Sequence, residues 1–130
     1  MRQANSRSDP VAESQPVRLS SLRALVGDNE AAARSILRSF SIHSGDIANH
    51  LRIACAAGNP GAAGDAAHKL KSAARAIGAF ALADLCEDLE HAGALGDIGA
   101  LAEVLRRFNL EEASVVAFLA QRELDGTAIL

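Results

Sequence analysis

Apolar residues recur at intervals of three and four positions through most of this chain of 130 residues. One example follows residue 30, where the apolar residues are Ala33, Ile36, Leu37, Phe40, Ile47, Leu51 and Ala54. This spacing places apolar side chains on one face of an α-helix and is typical of a helix with one buried side. No alternating run of β-branched residues competes with this period, so the chain is predicted to be all-α.

Glycine, asparagine and proline divide the chain into separate helices. A short first helix is expected to begin at Ser20, to bury Leu22 and Leu25, and to end before Gly27. Glycine readily adopts the left-handed conformation that follows a helix end. Asp28 is then expected to cap the second helix.

The third helix follows the tripeptide Gly58-Asn59-Pro60, whose residues suit a helix end, an N-cap and a first helical position. It is predicted to run from Pro60 to about Ala79. Its apolar face consists of Ala63, Ala66, Ala67, Leu70, Ala73, Ala74 and Ile77. Its opposite face carries His68, Lys71, Ser72 and Arg75.

Two further helices are predicted after the third. The fourth has an apolar stripe of Leu82, Leu85, Cys86 and Leu89. It is expected to be interrupted at Gly93 and Gly96, and Asp97 is expected to cap the last helix, which continues to about Glu123. The stripe of that helix is Leu101, Leu105, Phe108, Val115 and Leu119.

Four amphipathic helices joined by short loops can bury their stripes only against one another. The fold predicted is therefore an antiparallel up-down four-helix bundle, residues 17–124, with a short accessory helix at its N-terminal end. Residues 1–16 are polar and are expected to form a disordered leader, and residues 125–130 a frayed tail. A leader that begins with Met1 favours a free-standing protein, and the alternative is a piece of a larger hybrid kinase.

Composition excludes several kinds of partner. The formal charge is −3, aromatic residues make up 3% of the chain, and Trp and Tyr are absent, which argues against nucleic-acid binding. No run of about 18 apolar residues is present, so no membrane span is expected. The two cysteines and four histidines show no metal-binding spacing. We expect a monomer in the reducing cytoplasm.

The outer face of the third helix carries the residues with chemical potential. His68, Lys71, Ser72 and Arg75 follow one another at offsets of three, four and seven, so they form one strip along the helix. A neutral imidazole is a nucleophile near pH 7. The two cations lie close enough to neutralise a phosphoryl group placed on it.

At these residues the chain resembles the histidine-containing phosphotransfer (HPt) domains of bacterial phosphorelays. The family pattern is H-x-L-K-[GS], followed at fixed offsets by G-A, L, C and L-E. The chain carries it as His68-Lys69-Leu70-Lys71-Ser72, Gly78-Ala79, Leu82, Cys86 and Leu89-Glu90. Outside the third and fourth helices the resemblance depends on the helical pattern, over roughly 17–123. Serine after Lys71 is the accepted alternative to the more common glycine.

The resemblance implies that His68 accepts a phosphoryl group from a receiver-domain phospho-aspartate and passes it to another receiver domain. These receivers would belong to response regulators and to a hybrid histidine kinase. Lys71 would stabilise the phosphoryl group. Ser72 and Arg75 are candidate supporting residues from their place on the same strip, and Gly78 is expected to support the site by permitting close helix packing or a bend before the fourth helix. Any Mg²⁺ is expected on the receiver, so no cofactor or metal is expected on this chain. It lacks a glycine-rich phosphate loop, which favours a phosphocarrier over an enzyme that uses ATP.

Some assignments stay open at the level of sequence. Arg75 is either a phosphate ligand or a solvated side chain, and Ser72 provides either a steric allowance or a hydrogen bond. Asp65 either orients the ring of His68 or, as an acidic residue in the first turn, interacts favourably with the helix dipole, and the second interpretation is preferred. A helical adaptor that never carries phosphate is an alternative function. The phosphoacceptor helices of a histidine kinase are another, although the residues after His68 do not match their pattern.

A partner surface is predicted on the outer side of the second helix. The line consists of Ile42, Gly45, Asn49, Ile53 and Ala56. In the family the receiver lies over the reactive histidine and across this neighbouring helix. The alternative is that the leader or the first helix covers Ile42 and Ile53.

Overall fold

The computed structural model describes residues 15–125, which form five α-helices and no strand. The helices are α1 (Leu19–Val26), α2 (Glu30–Ala56), α3 (Pro60–Ala76), α4 (Phe80–Leu95) and α5 (Ile98–Asp125). The prediction of an all-α chain is confirmed for this part of the sequence. The predicted leader, apart from its last two residues, and the predicted tail beyond residue 125 lie outside the described residues.

Side-chain caps fix where three of the helices begin. Asn59 accepts a hydrogen bond from the amide of Ala62 (3.1 Å), and Asp97 accepts one from the amide of Ala100 (3.0 Å). Both caps were predicted. At the start of α2 the prediction was wrong, because Asn29 and not Asp28 accepts the amide of Ala32 (2.9 Å).

The turn between α3 and α4 anchors the N-terminal segment. Helix α3 ends at Ala76, three residues earlier than predicted, and Gly78 follows with a φ of +83°. The amide of Arg18 donates to the carbonyl of Gly78 (2.9 Å), and a Cβ at Gly78 would overlap the carbonyl of Arg18. Gly78 is therefore needed for this close approach, since a side chain there would be both strained and obstructed.

Each of the four long helices contacts two others, in the pairs α2–α3, α3–α4, α4–α5 and α2–α5. These contacts close a ring around a core that is mostly alanine and leucine. Its largest fully buried side chains include Phe108, Leu70 and Leu89. Most of the predicted apolar positions are buried. The predicted apolar residues that are only half-buried, at the margin of the core, are Ile36, Ile47, Ala73, Leu85 and Leu105.

Two expectations about individual residues were wrong. Leu25 is 63% exposed. In α1 the buried residue is Leu22, and the second buried apolar residue of this segment is Val17, just before the helix. Gly93 does not interrupt α4 but lies buried within it, where the helix crosses α3. A Cβ at Gly93 would lie 2.6 Å from the carbonyl oxygen of Pro60, so this glycine allows the two helices to approach closely.

Within residues 15–125, none of the helices combines the length and the apolar character that crossing a membrane requires.

Candidate functional site

His68 lies on the outer face of α3, where its side chain is 66% exposed. Its Nδ1 atom is 2.6 Å from Oε2 of Glu90, which reaches across from α4. An ionised carboxylate can only accept hydrogen bonds. Nδ1 therefore carries the hydrogen of this bond, and in the neutral ring the lone pair is left on Nε2.

The other carboxylate oxygen of Glu90 binds Lys71. The Nζ atom of Lys71 donates to Oε1 of Glu90 at 2.6 Å, and the lysine side chain is only 17% exposed. The hydrogen bond from Lys71 is the main cause that lowers the pKa of Glu90, and the bond from His68 adds to it against the opposing effect of desolvation. Glu90 is therefore ionised at neutral pH and bridges the imidazole and the ammonium group.

The surface around His68 is a shallow depression between α3 and α4. Small residues form its floor and one end, namely Gly61, Gly64, Gly93 and Ala94. Asp65, Glu87 and His91 complete its edge beside the site residues. Because the side chain of His68 is largely exposed, another protein can approach its ring.

A buried thiol, that of Cys86, lies one turn before Glu90 on α4. Burial raises the pKa of Cys86 to about 12, and the negative charge of Glu90 contributes in the same direction. The thiol is therefore protonated and unreactive at neutral pH. It behaves as a small apolar side chain.

The residues predicted to support His68 take different places. Arg75 does not reach the ring but donates to Oε1 of Glu87 at 2.9 Å. Ser72 is exposed on α3 next to Lys71. Gly78 lies at the α3–α4 turn, where it contacts the backbone of Arg18. The structure thus brings Lys71 together with His68 through Glu90, whereas Arg75 forms a neighbouring ion pair.

Asp65 is the sixth residue of α3, so the description of it as a first-turn residue was wrong. It lines the depression that contains His68 and also the groove between α2 and α3.

Four of the five residues of the predicted docking line are exposed on α2, and the fifth, Gly45, is half-buried. Ile42 is 61% exposed and Ile53 is 66% exposed, so α1 does not cover them. The other predicted cover, the leader, lies outside the described residues apart from residues 15 and 16. Asn49 accepts a hydrogen bond from Arg52 at 3.0 Å. The groove next to α3 is lined on the α2 side by a different set, His43, Asp46, Ile47 and His50. The predicted line therefore lies on the face of α2 next to the one that lines the groove with α3.

The role of Glu90 was not predicted from the sequence, although the residue belongs to the Leu89-Glu90 pair of the motif. The two carboxylate contacts join residues 22 and 19 positions apart in the chain. Helical periodicity relates only neighbours within one helix. The available signal was the fixed offset of L-E from the histidine in the motif.

No group of three or more His, Cys, Asp or Glu side chains in residues 15–125 is arranged to hold a metal ion.

The fold and the site define a class of protein: over residues 15–125 it is a bundle of helices that presents an exposed histidine whose Nδ1 is held by a carboxylate. The model of the Hpt domain matches residues 35–121 of this chain, and the chain belongs to that family. Hpt domains are phosphocarriers that take part in histidine phosphotransfer and interact with receiver domains of two-component systems.

A solved structure supports the fold. The chain is similar to histidine-containing phosphotransfer protein B (HptB) from Pseudomonas aeruginosa PAO1, with a TM-score of 0.78 and 23% sequence identity. The match covers 86% of this chain and 97% of the HptB chain. A comparison with curated protein sequences found no match.

Proposed function

We propose that His68 accepts a phosphoryl group on Nε2 from the phospho-aspartate of a receiver domain and passes it to another receiver domain. The observation that carries this proposal is the bond from Nδ1 of His68 to Glu90 at 2.6 Å on a side chain that is 66% exposed. The bond leaves Nε2 as the nucleophilic nitrogen, and the exposure makes it accessible to a partner.

In the forward step the lone pair of Nε2 forms a bond to phosphorus while the bond from phosphorus to the aspartyl oxygen breaks. The aspartate carboxylate leaves with the electron pair, and the ring of His68 becomes positively charged. Glu90 is already in place to stabilise that charge, since its carboxylate touches Nδ1. Such a preorganised countercharge costs no rearrangement at the moment of reaction.

Lys71 is the cation available to the phosphoryl oxygens. Its ammonium group is held by the same carboxylate that binds the ring, through Oε1 of Glu90. A lysine carries its charge on a flexible stem with three donors, so the ammonium group can turn from Glu90 to a phosphoryl oxygen. Arg75 already binds Glu87, and we assign it no contact with phosphate.

The receiver would supply the acidic pocket and the Mg²⁺, because phosphoryl transfer requires positioning and charge neutralisation more than covalent machinery. We propose that it covers the depression at His68 and extends across the outer side of α2 towards Ile42, Gly45, Asn49 and Ile53. We interpret the ring of helix contacts as the up-down four-helix bundle of a monomer, with α1 as the accessory helix.

The test is incubation of the chain with a phosphorylated receiver domain, in parallel with ATP alone. Label should appear from the receiver and not from ATP, and it should be stable in base and labile in acid, as a phosphoramidate is. His68→Gln should accept none, while His50→Gln, a matched change on an exposed histidine of α2, should accept as much as the wild type. Binding of the receiver without any label would identify a non-phosphorylated adaptor instead. Label from ATP alone would identify an autokinase.

A further inference from the structure

We propose that Asp65 is a specificity-determining residue, which selects receiver domains that present a lysine or arginine side chain to the groove between α2 and α3. This inference rests on the proposed function of His68, because it concerns the partner that docks over that histidine. Asp65 precedes the H-x-L-K-[GS] pattern in the sequence, so the motif assigns it no role.

Asp65 lies between two surfaces that the receiver is proposed to cover. It is placed about one turn before His68 on α3. It lines both the depression around His68 and the groove between α2 and α3. A receiver that covers the depression and extends across α2 must therefore cover this carboxylate as well.

The other carboxylates of the depression already have partners. Glu87 binds the guanidinium group of Arg75, and Glu90 is bound by both an imidazole and an ammonium group. The carboxylate of Asp65 is exposed, and within residues 15–125 it forms neither an ion pair nor a side-chain hydrogen bond. Asp65 is thus the carboxylate of this surface that is left for a partner to bind.

The charges in the groove between α2 and α3 also favour a cationic partner. Carboxylates line the groove from both helices, Asp46 on α2 and Asp65 on α3, and Lys69 is the lysine beside them. The four-residue spacing of Asp65 and Lys69 allows an ion pair on a helix, but the described part of the chain has none between them. His43 and His50 also line the groove. Carboxylates therefore outnumber ammonium groups on this surface, which is complementary to a positively charged side chain.

Docking removes water from every charge that it covers. A carboxylate that loses its water and gains no cation destabilises the complex. A receiver with a lysine or arginine at this place offsets that loss through a charge-assisted hydrogen bond, whereas one with an apolar or acidic side chain does not. Asp65 therefore acts mainly by rejecting receivers that lack the cation, which is a common source of specificity at interfaces.

The experiment uses the receiver domain of the source organism that labels His68 fastest. Its dissociation constant is measured by calorimetric titration of the full chain as wild type, Asp65→Asn, Asp65→Lys and the matched control Asp84→Asn. Asp84 is an exposed aspartate on α4 that lines neither the depression nor the groove. Asparagine keeps the size of aspartate but removes its charge. The transfer rate at saturating receiver and the thermal midpoint are measured on the same samples.

We expect Asp65→Asn to raise the dissociation constant at least about tenfold, as loss of a close charge pair across an interface does. Asp65→Lys should raise it further, and Asp84→Asn should bind as the wild type does. The transfer rate at saturating receiver should change much less than the dissociation constant, because the role of Asp65 is in docking. The thermal midpoint should not fall, since the side chain is exposed.

Variants of the receiver identify the cation that faces Asp65. Each exposed lysine and arginine of the receiver is replaced by glutamate in turn. One of these receiver variants should bind the wild-type chain weakly and Asp65→Lys well, because the exchange restores opposite charges at the contact. Such a coupling between two positions is the signature of a direct interaction.

An unchanged dissociation constant in Asp65→Asn would overturn the inference, as would an equal loss of affinity in Asp84→Asn. The same holds if no glutamate variant of the receiver recovers binding to Asp65→Lys, because no cation would then face this position. A slower rate at saturation with unchanged affinity would place Asp65 in the transfer step instead and would also overturn it.

All of these outcomes leave the proposed function intact, because the wild-type chain is still labelled on His68. Failure of every phosphorylated receiver to label His68 would instead overturn the proposed function and this inference with it.

Discussion

The crossing of α3 and α4 determines how far Glu90 lies from His68, and Gly93 tests that dependence. A Cβ at Gly93 would lie 2.6 Å from the carbonyl oxygen of Pro60 and 3.1 Å from two backbone atoms of Gly64. These are backbone atoms, which cannot turn aside as the end of a flexible side chain can. Overpacking of this kind costs about 1–3 kcal/mol.

A matched substitution is available on the opposite helix. At Gly64 a Cβ would meet its nearest atom, the carbonyl oxygen of Glu90, at 3.7 Å, which is ordinary van der Waals contact. Replacement of glycine by alanine within a helix contributes roughly 0.5–1 kcal/mol of stability. We therefore expect Gly64→Ala to be more stable than the wild type by about that amount. Gly93→Ala gains the same propensity but also has the clash, and should be less stable by about 1–2 kcal/mol.

The assay is urea unfolding followed by circular dichroism, with the free energy of unfolding compared at constant slope. Phosphotransfer from a receiver is measured on the same two variants. Displacement of α4 in Gly93→Ala moves Glu90 away from His68, so transfer should slow more in that variant than in Gly64→Ala, in which α4 is not displaced. Equal stability of the two variants would refute the reasoning, because it would show that the close approach at Gly93 does not limit the helix spacing.

Three further predictions concern the site and its surroundings. Lys71→Ala should slow transfer at saturating receiver by about 5- to 150-fold, the equivalent of 1–3 kcal/mol for a charged hydrogen bond. The control Lys69→Ala, on the side of α3 towards α2, should not slow it. Equal rates for the two variants would remove Lys71 from the mechanism. Ile53→Asp should weaken receiver binding by at least about 1 kcal/mol. It should not lower the thermal midpoint, since Ile53 is 66% exposed. A binding titration and a melting curve on one sample check both results. The pKa of Glu90 is lowered in the folded chain from its ordinary value of 4.5, so its bonds to Lys71 and His68 stabilise the fold above that pH and lose this effect as the pH falls through the lowered pKa. The difference in unfolding free energy between wild type and Glu90→Gln should accordingly shrink as the pH falls below 4.5, and a difference that does not shrink there would contradict the assignment.

Much of the fold follows from local patterns in the sequence. Asn59 and Asp97 were predicted as caps because the capping bond spans only three residues. The apolar stripes identified the buried faces because each helix repeats every 3.6 residues. These features depend on neighbours within one helix, which the sequence displays directly.

Features that depend on contact between helices were not predicted in the same way. Leu25 has the spacing of a buried residue, but α1 is short and no other helix covers that side of it. Gly93 has the composition of a helix end, but its position at the crossing with α3 makes it an interior residue of α4. The observed cap of α2 is Asn29 and the predicted one was Asp28, which shows that even a local signal leaves a helix boundary open by one residue.

The site shows the same division. His68 and Lys71 were identified from one helix, because their offset of three residues places them on one face. Glu90 completes the arrangement from α4, and its role depends on the approach of the two helices. Arg75 fits the strip by spacing, yet Glu87 on α4 is the partner that binds it.

The most direct test of the central claim is to count the phosphoryl groups that the chain accepts from a phosphorylated receiver and to identify the atom that carries them. We predict one acid-labile phosphoryl group per chain, bound to Nε2 of His68 in ³¹P and ¹⁵N spectra, and none in His68→Gln. A chain that binds the receiver but takes up no phosphoryl group, or that is labelled to the same extent in His68→Gln, would contradict the account.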